Sequence, residues 1–200
     1  MKTVIQRVKS ASVTVDGQLI SQISKGLLVF AAIAKEDTAQ EAESMAGKVL
    51  RQKFWDAEDG GKWKRSVTDI EGEVLCVSQF TLLASTKKGS KPDFHKAASA
   101  QKGKELYDHF IGQVRSLYAP DRVKDGVFQA MMDVGLVNDG PVGVDFRCID
   151  EAVTIEIETN PPEWKDPTGF ASAKGQKPEE GDTLKGHIHK RFEMPASLLE

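Results

Sequence analysis

At residues 27–33 the chain reads Leu-Leu-Val-Phe-Ala-Ala-Ile, a run that places apolar side chains on both faces of an extended strand. Strands buried from both sides have this composition, whereas a strand with one wet face alternates apolar and polar residues. We therefore expect residues 27–33 to form a central strand of a sheet. The run is far too short to cross a bilayer, which needs about 20 apolar residues.

The segments on either side of this run predict a hairpin and a helix. Residues 11–15 alternate apolar with polar side chains, Asp16-Gly17 suits a two-residue type I′ turn, and residues 18–23 return as the second strand. After the run, Thr38-Ala39-Gln40-Glu41 fits a capping box at the start of a helix. At helical spacing, this helix is predicted to bury Ala42, Met45, Ala46 and Val49.

Four further elements are predicted downstream. Residues 73–84 form a second strongly apolar strand, and residues 94–118 form a long amphipathic helix that Pro120 ends. A short helix or turn is expected at residues 121–128. Residues 153–158 alternate as a half-buried strand does.

Length and composition favour one compact domain with appendages. The chain has 200 residues, of which 40% are apolar, enough for one core. Five of its eight prolines follow residue 159, mixed with glycine and charged residues. We therefore expect residues 160–200 to be a disordered or loosely docked tail. The first 15 residues do not resemble a signal peptide, so we expect a cytoplasmic protein without a membrane anchor.

The cysteines and histidines favour neither a disulfide framework nor a metal site. Cys76 and Cys148 are far apart in the sequence, and we expect both to be reduced and structural. The close pair His187 and His189 has no nearby cysteine or cluster of acids. We expect no metal and no cofactor.

The net charge of −3 hides two basic clusters. The alternative to a binding role is that each cluster is a solvated surface, which is the commoner case for a single run. Two such runs flanking one unusual strand shift that balance towards a nucleic-acid partner. The first cluster surrounds Trp63 and the second follows the strand at 73–84; together their candidate contacts are Lys62, Lys64, Arg65, Lys87, Lys88 and Lys91.

Ser78-Gln79-Phe80-Thr81 places three hydrogen-bonding side chains inside an otherwise apolar strand. Ser78 and Thr81 could bond to neighbouring backbone while Gln79 faces solvent, and the pattern leaves that alternative open. A nucleophilic serine or threonine needs a positioned base, but among the histidines only His95 lies near this strand in sequence. Stabilisation of an oxyanion by backbone amides stays possible, because it requires only geometry.

Asn138-Asp139-Gly140-Pro141 has the composition of a surface turn. Taken alone, it predicts a loop and nothing more.

Five blocks of the sequence, in order, resemble the D-aminoacyl-tRNA deacylase family. The resemblance runs from residue 1 to residue 142 and resumes at Thr154-Ile155. The blocks are Ile5-Gln6-Arg7-Val8, Ala11-Ser12-Val13, Gly72-Glu73-Val74-Leu75-Cys76-Val77-Ser78-Gln79-Phe80-Thr81-Leu82, Lys91-Pro92-Asp93-Phe94 and Asn138-Asp139-Gly140-Pro141-Val142.

The resemblance implies an α/β fold in which a mixed β-sheet curls into a barrel-like core, with helices packed outside. It also implies a homodimer with two equivalent sites at the subunit interface, and a deacylase domain spanning residues 1–159. The implied activity is hydrolysis of the ester of D-aminoacyl-tRNA, and of glycyl-tRNA, as proofreading in translation.

The resemblance also implies roles for the residues singled out above. Gly140 and Pro141, joined by a cis peptide bond, would enter the partner's site, hold the substrate amino group and exclude an L side chain; Arg7 would orient their loop. The strand Ser78-Gln79-Phe80-Thr81 would supply oxyanion-binding amides and the Thr81 hydroxyl. Water would attack, assisted by the free hydroxyl of the terminal ribose rather than by a protein base. The basic clusters would contact acceptor-stem phosphates.

The sequence departs from the family pattern at residues 143–153, eleven residues that intervene before the last strand. The segment is either a lengthened surface loop or a retained intron in the gene sequence. Two alternatives to the deacylase stay open. One is an RNA- or tRNA-binding module that has lost hydrolysis. The other is a peptide-bond or small-ester hydrolase with Thr81 as nucleophile.

Overall fold

A computed structural model describes residues 1–87, 89–140 and 154–159 of the chain. In this part of the chain the strands are β1 (Lys2–Val15), β2 (Gln18–Ile23), β3 (Gly26–Ala32), β4 (Glu73–Ser78), β5 (Val123–Asp125), β6 (Asp133–Asn138) and β7 (Thr154–Glu158). The α-helices are α1 (Ala39–Arg51) and α2 (Ala100–Leu117), and two short 3₁₀ helices span Phe80–Leu83 and Pro120–Arg122.

The strands form one mixed, barrel-like sheet. β3, β4 and β5 are parallel neighbours, and α1 and α2 lie in the two connections between them. The long strand β1 is antiparallel to four others: its first half pairs with β3 and β7, and its second half with β2 and β6. The Ser21 hydroxyl of β2 donates to the Asp125 carbonyl of β5 (2.8 Å), so the two ends of the path β2-β1-β3-β4-β5 meet. The predicted fold class is confirmed for the chain.

The hairpin and the first helix form as their local sequences predict. Asp16 and Gly17 both have positive φ, 49° and 77°, as a type I′ turn requires. The Thr38 hydroxyl accepts from the backbone of α1 while the Glu41 carboxylate accepts from the Thr38 amide, so the capping box is present. All four residues predicted to be buried by this helix are buried.

The apolar side chains form two cores, one on each face of the parallel strands. Leu27, Val29 and Cys76 belong to the core that also contains the buried side chains of α1 and α2. Their strand neighbours Leu28 and Leu75 belong to the second core, which is built from strand residues and lies inside the curled sheet. This explains why residues 27–33 are apolar on both faces. Cys76 is a free, buried thiol, as predicted.

Two predicted boundaries are wrong. The strand predicted over residues 73–84 ends at Ser78, because β3 ends at Ala32 and the last bond along it runs from the Gln79 amide to the Ala31 carbonyl. The chain then turns into a 3₁₀ helix. The helix predicted from residue 94 begins at Ala100, since residues before it bond to the chain after β3, as in Ala98 N–H to Ile33 carbonyl.

The region after α2 also differs from its prediction. A helix or turn was expected over residues 121–128, but the 3₁₀ helix covers only Pro120–Arg122, and β5 follows it. β6 has no counterpart among the predicted elements. β7 confirms the predicted last strand.

Several predictions fall outside the described residues: Lys88, Pro141, Cys148, His187, His189, the segment 143–153 and the tail 160–200. Among the residues that are described, no helix is long and apolar enough to span a membrane. Within the same ranges, no group of three or more potential ligands is arranged to hold a metal ion.

Candidate active site

A cavity of about 800 Å³ opens at the carboxyl ends of β3 and β4. Its walls are the last residues of these strands, the start of the first 3₁₀ helix, the first two turns of α2 and residues 128–132. Ligands of α/β sheets bind at this end of parallel strands, where the loops leave the sheet. The cavity is therefore the natural candidate for the active site.

The predicted motif Ser78-Gln79-Phe80-Thr81 lies in the wall of this cavity, but not as a strand. Ser78 is the last residue of β4, and Phe80 and Thr81 begin the 3₁₀ helix. The first amides of a helix have no acceptor within it, so the Phe80 and Thr81 N–H groups are available to other partners. The Gln79 side-chain amide donates to the Thr81 hydroxyl (2.5 Å), so Gln79 is engaged locally.

The volume of the cavity follows from small side chains on the surrounding elements. Alanine occupies the lining positions at the end of β3 and at residues 97, 98 and 100. Gly103 continues this wall on α2, where an added Cβ would lie 3.6 Å from the Phe128 ring. Larger residues at these positions would fill the space that a substrate needs.

The described lining residues carry no formal charge at neutral pH. They include no aspartate, glutamate, lysine, arginine or histidine. Tyr107 is the one ionisable side chain among them, and burial raises its pKa, so the phenol stays neutral. A side-chain base of ordinary strength is thus missing from the described wall, which agrees with the poor inventory of such groups in the sequence.

The rim of the cavity combines an exposed aromatic ring with a basic loop. Phe80 is 58% exposed and packs edge-on against Phe94, with ring centroids 5.2 Å apart. Paired backbone bonds between Ser85 and Asp93 (2.8 and 2.9 Å) close the loop that carries the exposed Lys87 and Lys91. His95 is next to this rim but bonds to Asp93, at 2.5 Å.

Arg7 and the predicted Gly140 turn form a second region, at the other end of β3. Arg7 donates to the Asp139 carbonyl (3.3 Å), and its Nε lies 3.1 Å from the Asp139 carboxylate. The Asn138 side chain donates to the Gly140 carbonyl (2.7 Å), which directs that oxygen. Val8 pairs with both Gly26 and Asn138, so this turn lies beside the start of β3.

The first basic cluster lies on a hairpin at residues 55–65, next to Arg7 rather than next to the cavity. Its base is joined by backbone bonds between Trp55 and Arg65 (2.8 to 3.0 Å). Lys62 pairs with Asp56 (2.8 Å), and this pairing lowers the pKa of the Asp56 carboxyl. One chain therefore brings the predicted site residues together in three separate groups.

Sequence reasoning missed the contribution of α2 and of residues 128–132 to the cavity. Ser99, Gly103 and Tyr107 follow at a spacing of four residues, which places them on one face of the helix. Gly103 weakens a helix that is otherwise well formed, and a glycine inside a helix can mark close packing. That signal was present in the sequence. Nothing local indicates residues 128–132.

The fold and the cavity define a class of protein: an α/β chain with a barrel-like mixed sheet, whose described cavity is uncharged and has backbone amides at the end of a strand. The chain belongs to the D-Tyr-tRNA(Tyr) deacylase family, because the sequence model of that family matches residues 4–147. The family makes the chain a hydrolase and confirms the resemblance found in its sequence.

Individual relatives agree with this assignment. The chain is 55% identical to a D-aminoacyl-tRNA deacylase of Yarrowia lipolytica over 148 residues, 73% of this chain and 96% of that protein. It is 46% identical to the human D-aminoacyl-tRNA deacylase 1 over 147 residues, 74% of this chain and 70% of that protein.

Solved structures show the same fold. A structure named c-Myc DNA Unwinding Element Binding Protein has a TM-score of 0.71 and 45% identity, covering 80% of this chain and 99% of that one. A probable eukaryotic D-amino acid tRNA deacylase has a TM-score of 0.61 over 78% of this chain and 98% of that one; at 18% identity it shows the fold alone.

Proposed function

We propose that the chain hydrolyses the ester of D-aminoacyl-tRNA, and of glycyl-tRNA, and leaves L-aminoacyl-tRNA intact. The observation that carries the proposal is the uncharged cavity with the free amides of Phe80 and Thr81 in its wall. Such a site suits an ester, which is already activated, better than an amide, whose cleavage requires protonation of a poor leaving group. The names of the relatives point to the same substrate.

In this mechanism the protein stabilises charge and the substrate handles the proton. Water attacks the carbonyl carbon, and the Phe80 and Thr81 amides donate to the oxyanion that develops. The bond from the carbonyl carbon to the ribose oxygen then breaks, and that oxygen takes up a proton. The neighbouring ribose hydroxyl relays protons from the attacking water, which explains why the described wall needs no histidine or carboxylate. Thr81, held by Gln79, positions the water or the carbonyl.

The complete site needs two subunits. Val8 of β1 pairs with Asn138 on one side and with Gly26 of β3 on the other. Gln79, by contrast, bonds to Ala31, five residues further along β3. At about 3.3 Å per residue, Asn138, where the Gly140 turn begins, is about 16 Å from Gln79 along the strand alone. A homodimer that places Gly140 and Pro141 of one subunit against the cavity of the other removes this separation.

Exposed apolar residues near this turn support such a dimer. In the described strands next to it, Leu136 is 39%, Val137 54% and Ile155 37% exposed, although strand residues of this size are normally covered. Burying them stabilises association at roughly 25 cal/mol per Å². Analytical ultracentrifugation tests this point: a monomer at micromolar concentration contradicts the two-subunit site.

Chirality is read at the α-carbon rather than at the side chain. The Gly140 and Pro141 carbonyls accept from the substrate ammonium, and the backbone behind them occupies the volume that an L side chain needs. Asn138 already directs the Gly140 carbonyl, which retains a second lone pair. A D side chain points away from this wall, and glycine has none, so both pass.

The tRNA contacts are electrostatic. The proposed partners of the acceptor-end phosphates are Lys62, Lys64, Arg65, Lys87, Lys88 and Lys91. Contacts of this kind give an affinity for tRNA that falls as the salt concentration rises. Salt bridges within the 55–65 hairpin reduce its net charge, so the loop next to the cavity carries more of the attraction.

One assay tests the function. Recombinant protein is incubated with D-tyrosyl-tRNA, L-tyrosyl-tRNA and glycyl-tRNA, and release of the amino acid is followed. We expect rapid release from the D and glycyl substrates only. Release no faster than the spontaneous rate at micromolar protein rules the proposal out. Binding without release would favour the second candidate, a nucleic-acid-binding module, which the name of one 45% identical structure supports.

A further inference from the structure

Arg7 joins the Gly140 turn to the 55–65 hairpin. Its Nη1 donates to the Phe54 carbonyl (2.6 Å) while the rest of the guanidinium contacts Asp139, and the side chain is only 17% exposed. Phe54 leads directly into the hairpin, where its amide donates to the Arg65 carbonyl (2.9 Å). A half-buried, forked guanidinium with several acceptors holds its partners in a fixed relative position. Arg7 therefore ties the hairpin to the turn.

The arm of this hairpin that returns to its base has the chemistry of an RNA contact. Lys62 pairs with Asp56 (2.8 Å) and Arg65 donates to the Asp69 carbonyl (2.7 Å), so both are used within the chain. Lys64 is exposed and forms no ion pair with any residue in the described ranges. Trp63, 42% exposed, is held in the left-handed region at φ 55°. An open ammonium beside an exposed indole fits a phosphate next to a ribose or base.

We propose that Trp63 and Lys64 of one subunit contact the acceptor end of the tRNA whose ester lies in the cavity of the other subunit. The proposal rests on the two-subunit site described above. Because the hairpin is tied to the Gly140 turn, it enters the partner's site together with that turn and stays far from the cavity of its own chain. Each tRNA is thus held by the loop at 85–93 of one subunit and by the hairpin of the other.

Subunit complementation tests the proposal. One full-length chain carries Thr81→Ala, which damages the cavity, and the other carries Trp63→Ala with Lys64→Glu, which damages the hairpin. The chains bear different C-terminal tags, are expressed together, and the heterodimer is isolated by passing over both affinity columns. Hydrolysis of D-tyrosyl-tRNA is compared with that of both parents and of the wild type.

A hairpin that acts across the interface leaves the heterodimer with one intact site, made from an undamaged cavity and an undamaged hairpin. We expect about half the wild-type activity per dimer, with each parent at least tenfold below wild type. A hairpin that serves its own cavity gives two damaged sites, and activity no higher than the parental mean overturns the proposal. So does a hairpin variant with wild-type activity, or a chain that stays monomeric.

Two further measurements keep these outcomes interpretable. The single variant Lys64→Glu changes only an exposed side chain, so it remains usable if the double variant does not fold. Lys64→Ala should reduce the slope of log kcat/KM against log salt by about 0.7 to 0.9, the value of one phosphate contact. Lys104→Ala, which changes an exposed lysine paired with Asp108 on α2, should leave the slope unchanged. An inactive wild-type protein contradicts the proposed function itself, not this arrangement.

Discussion

The two ends of the parallel strands β3 and β4 are packed in opposite ways. At their amino ends, backbone packs directly on backbone: a Cβ on Gly26 would lie 1.8 Å from the Glu73 carbonyl oxygen, and the Tyr118 hydroxyl donates to the Gly72 carbonyl (2.9 Å). At their carboxyl ends, small side chains leave a cavity of about 800 Å³. The two ends should therefore respond differently to substitution. Substitutions at the amino ends should unfold the protein, whereas substitutions at the carboxyl ends should abolish or reduce its activity.

The largest expected effect is at the closed end. Gly26→Ala places a methyl group within the Glu73 backbone, which has no flexible atoms to move aside. We expect the free energy of unfolding to fall by about 4 kcal/mol or more, measured by urea denaturation. Gly112→Ala is the control, because nothing lies within 4 Å of its added Cβ. There alanine should raise stability by about 0.5 to 1 kcal/mol, since glycine is a poor helix former.

The open end should give the opposite result. Thr81→Ala removes a hydroxyl from the cavity wall but keeps the Phe80 and Thr81 amides, so we expect kcat/KM for D-tyrosyl-tRNA to fall about 10- to 100-fold. The free energy of unfolding should stay within about 0.5 kcal/mol, because the side chain is exposed. Thr81→Ser should retain most of the activity. Complete inactivity of folded Thr81→Ala would instead contradict this mechanism and favour Thr81 as an obligatory nucleophile.

The closed and open ends also differ in how much of their structure the sequence could predict. The Asp16-Gly17 turn, the Thr38 cap and the buried run at 27–33 depend on neighbours in sequence, and each is found as predicted. Local sequence also indicates part of the closed end, since a glycine at the start of a strand suggests that two backbone segments approach closely there.

The open end depends on contacts that no local pattern contains. Residues 79–84 have strand composition, but β4 ends because its neighbour β3 ends, a fact of tertiary pairing. β5 is three residues long and shows no period. The cavity brings together the ends of β3 and β4, a face of α2 and residues 128–132. The end of β3 and residues 128–132 are more than 90 residues apart in the chain. The motif at 78–81 was found as a polar interruption, but its 3₁₀ geometry was not.

A smaller effect at the closed end tests whether its polar contacts contribute beyond the packing. Tyr118→Phe removes the hydroxyl that donates to the Gly72 carbonyl and leaves the ring in place. Losing one such bond should lower the free energy of unfolding by about 1 kcal/mol, with kcat/KM unchanged. Thermal unfolding and the deacylation assay on the same preparation measure both. A loss of activity without a loss of stability would mean that the two ends are coupled.

The smallest expected effect is electrostatic and depends on pH. Burial by itself opposes ionisation of Glu73, but the Ser24 amide and hydroxyl donate to its carboxylate (2.7 and 2.6 Å), and the net result is that the pKa of this carboxyl is lowered from its usual value. A lowered folded pKa stabilises the protein above the unfolded pKa, and this contribution disappears as pH falls through the folded value. Because the carboxylate is largely solvated, Glu73→Gln should cost less than about 1 kcal/mol at pH 7. The difference in the free energy of unfolding between wild type and variant should shrink below pH 4.5. Urea denaturation at pH 7 and at a pH below 4.5 measures it. A difference that stays constant with pH would assign the contribution to the shape of the hydrogen bonds rather than to the charge.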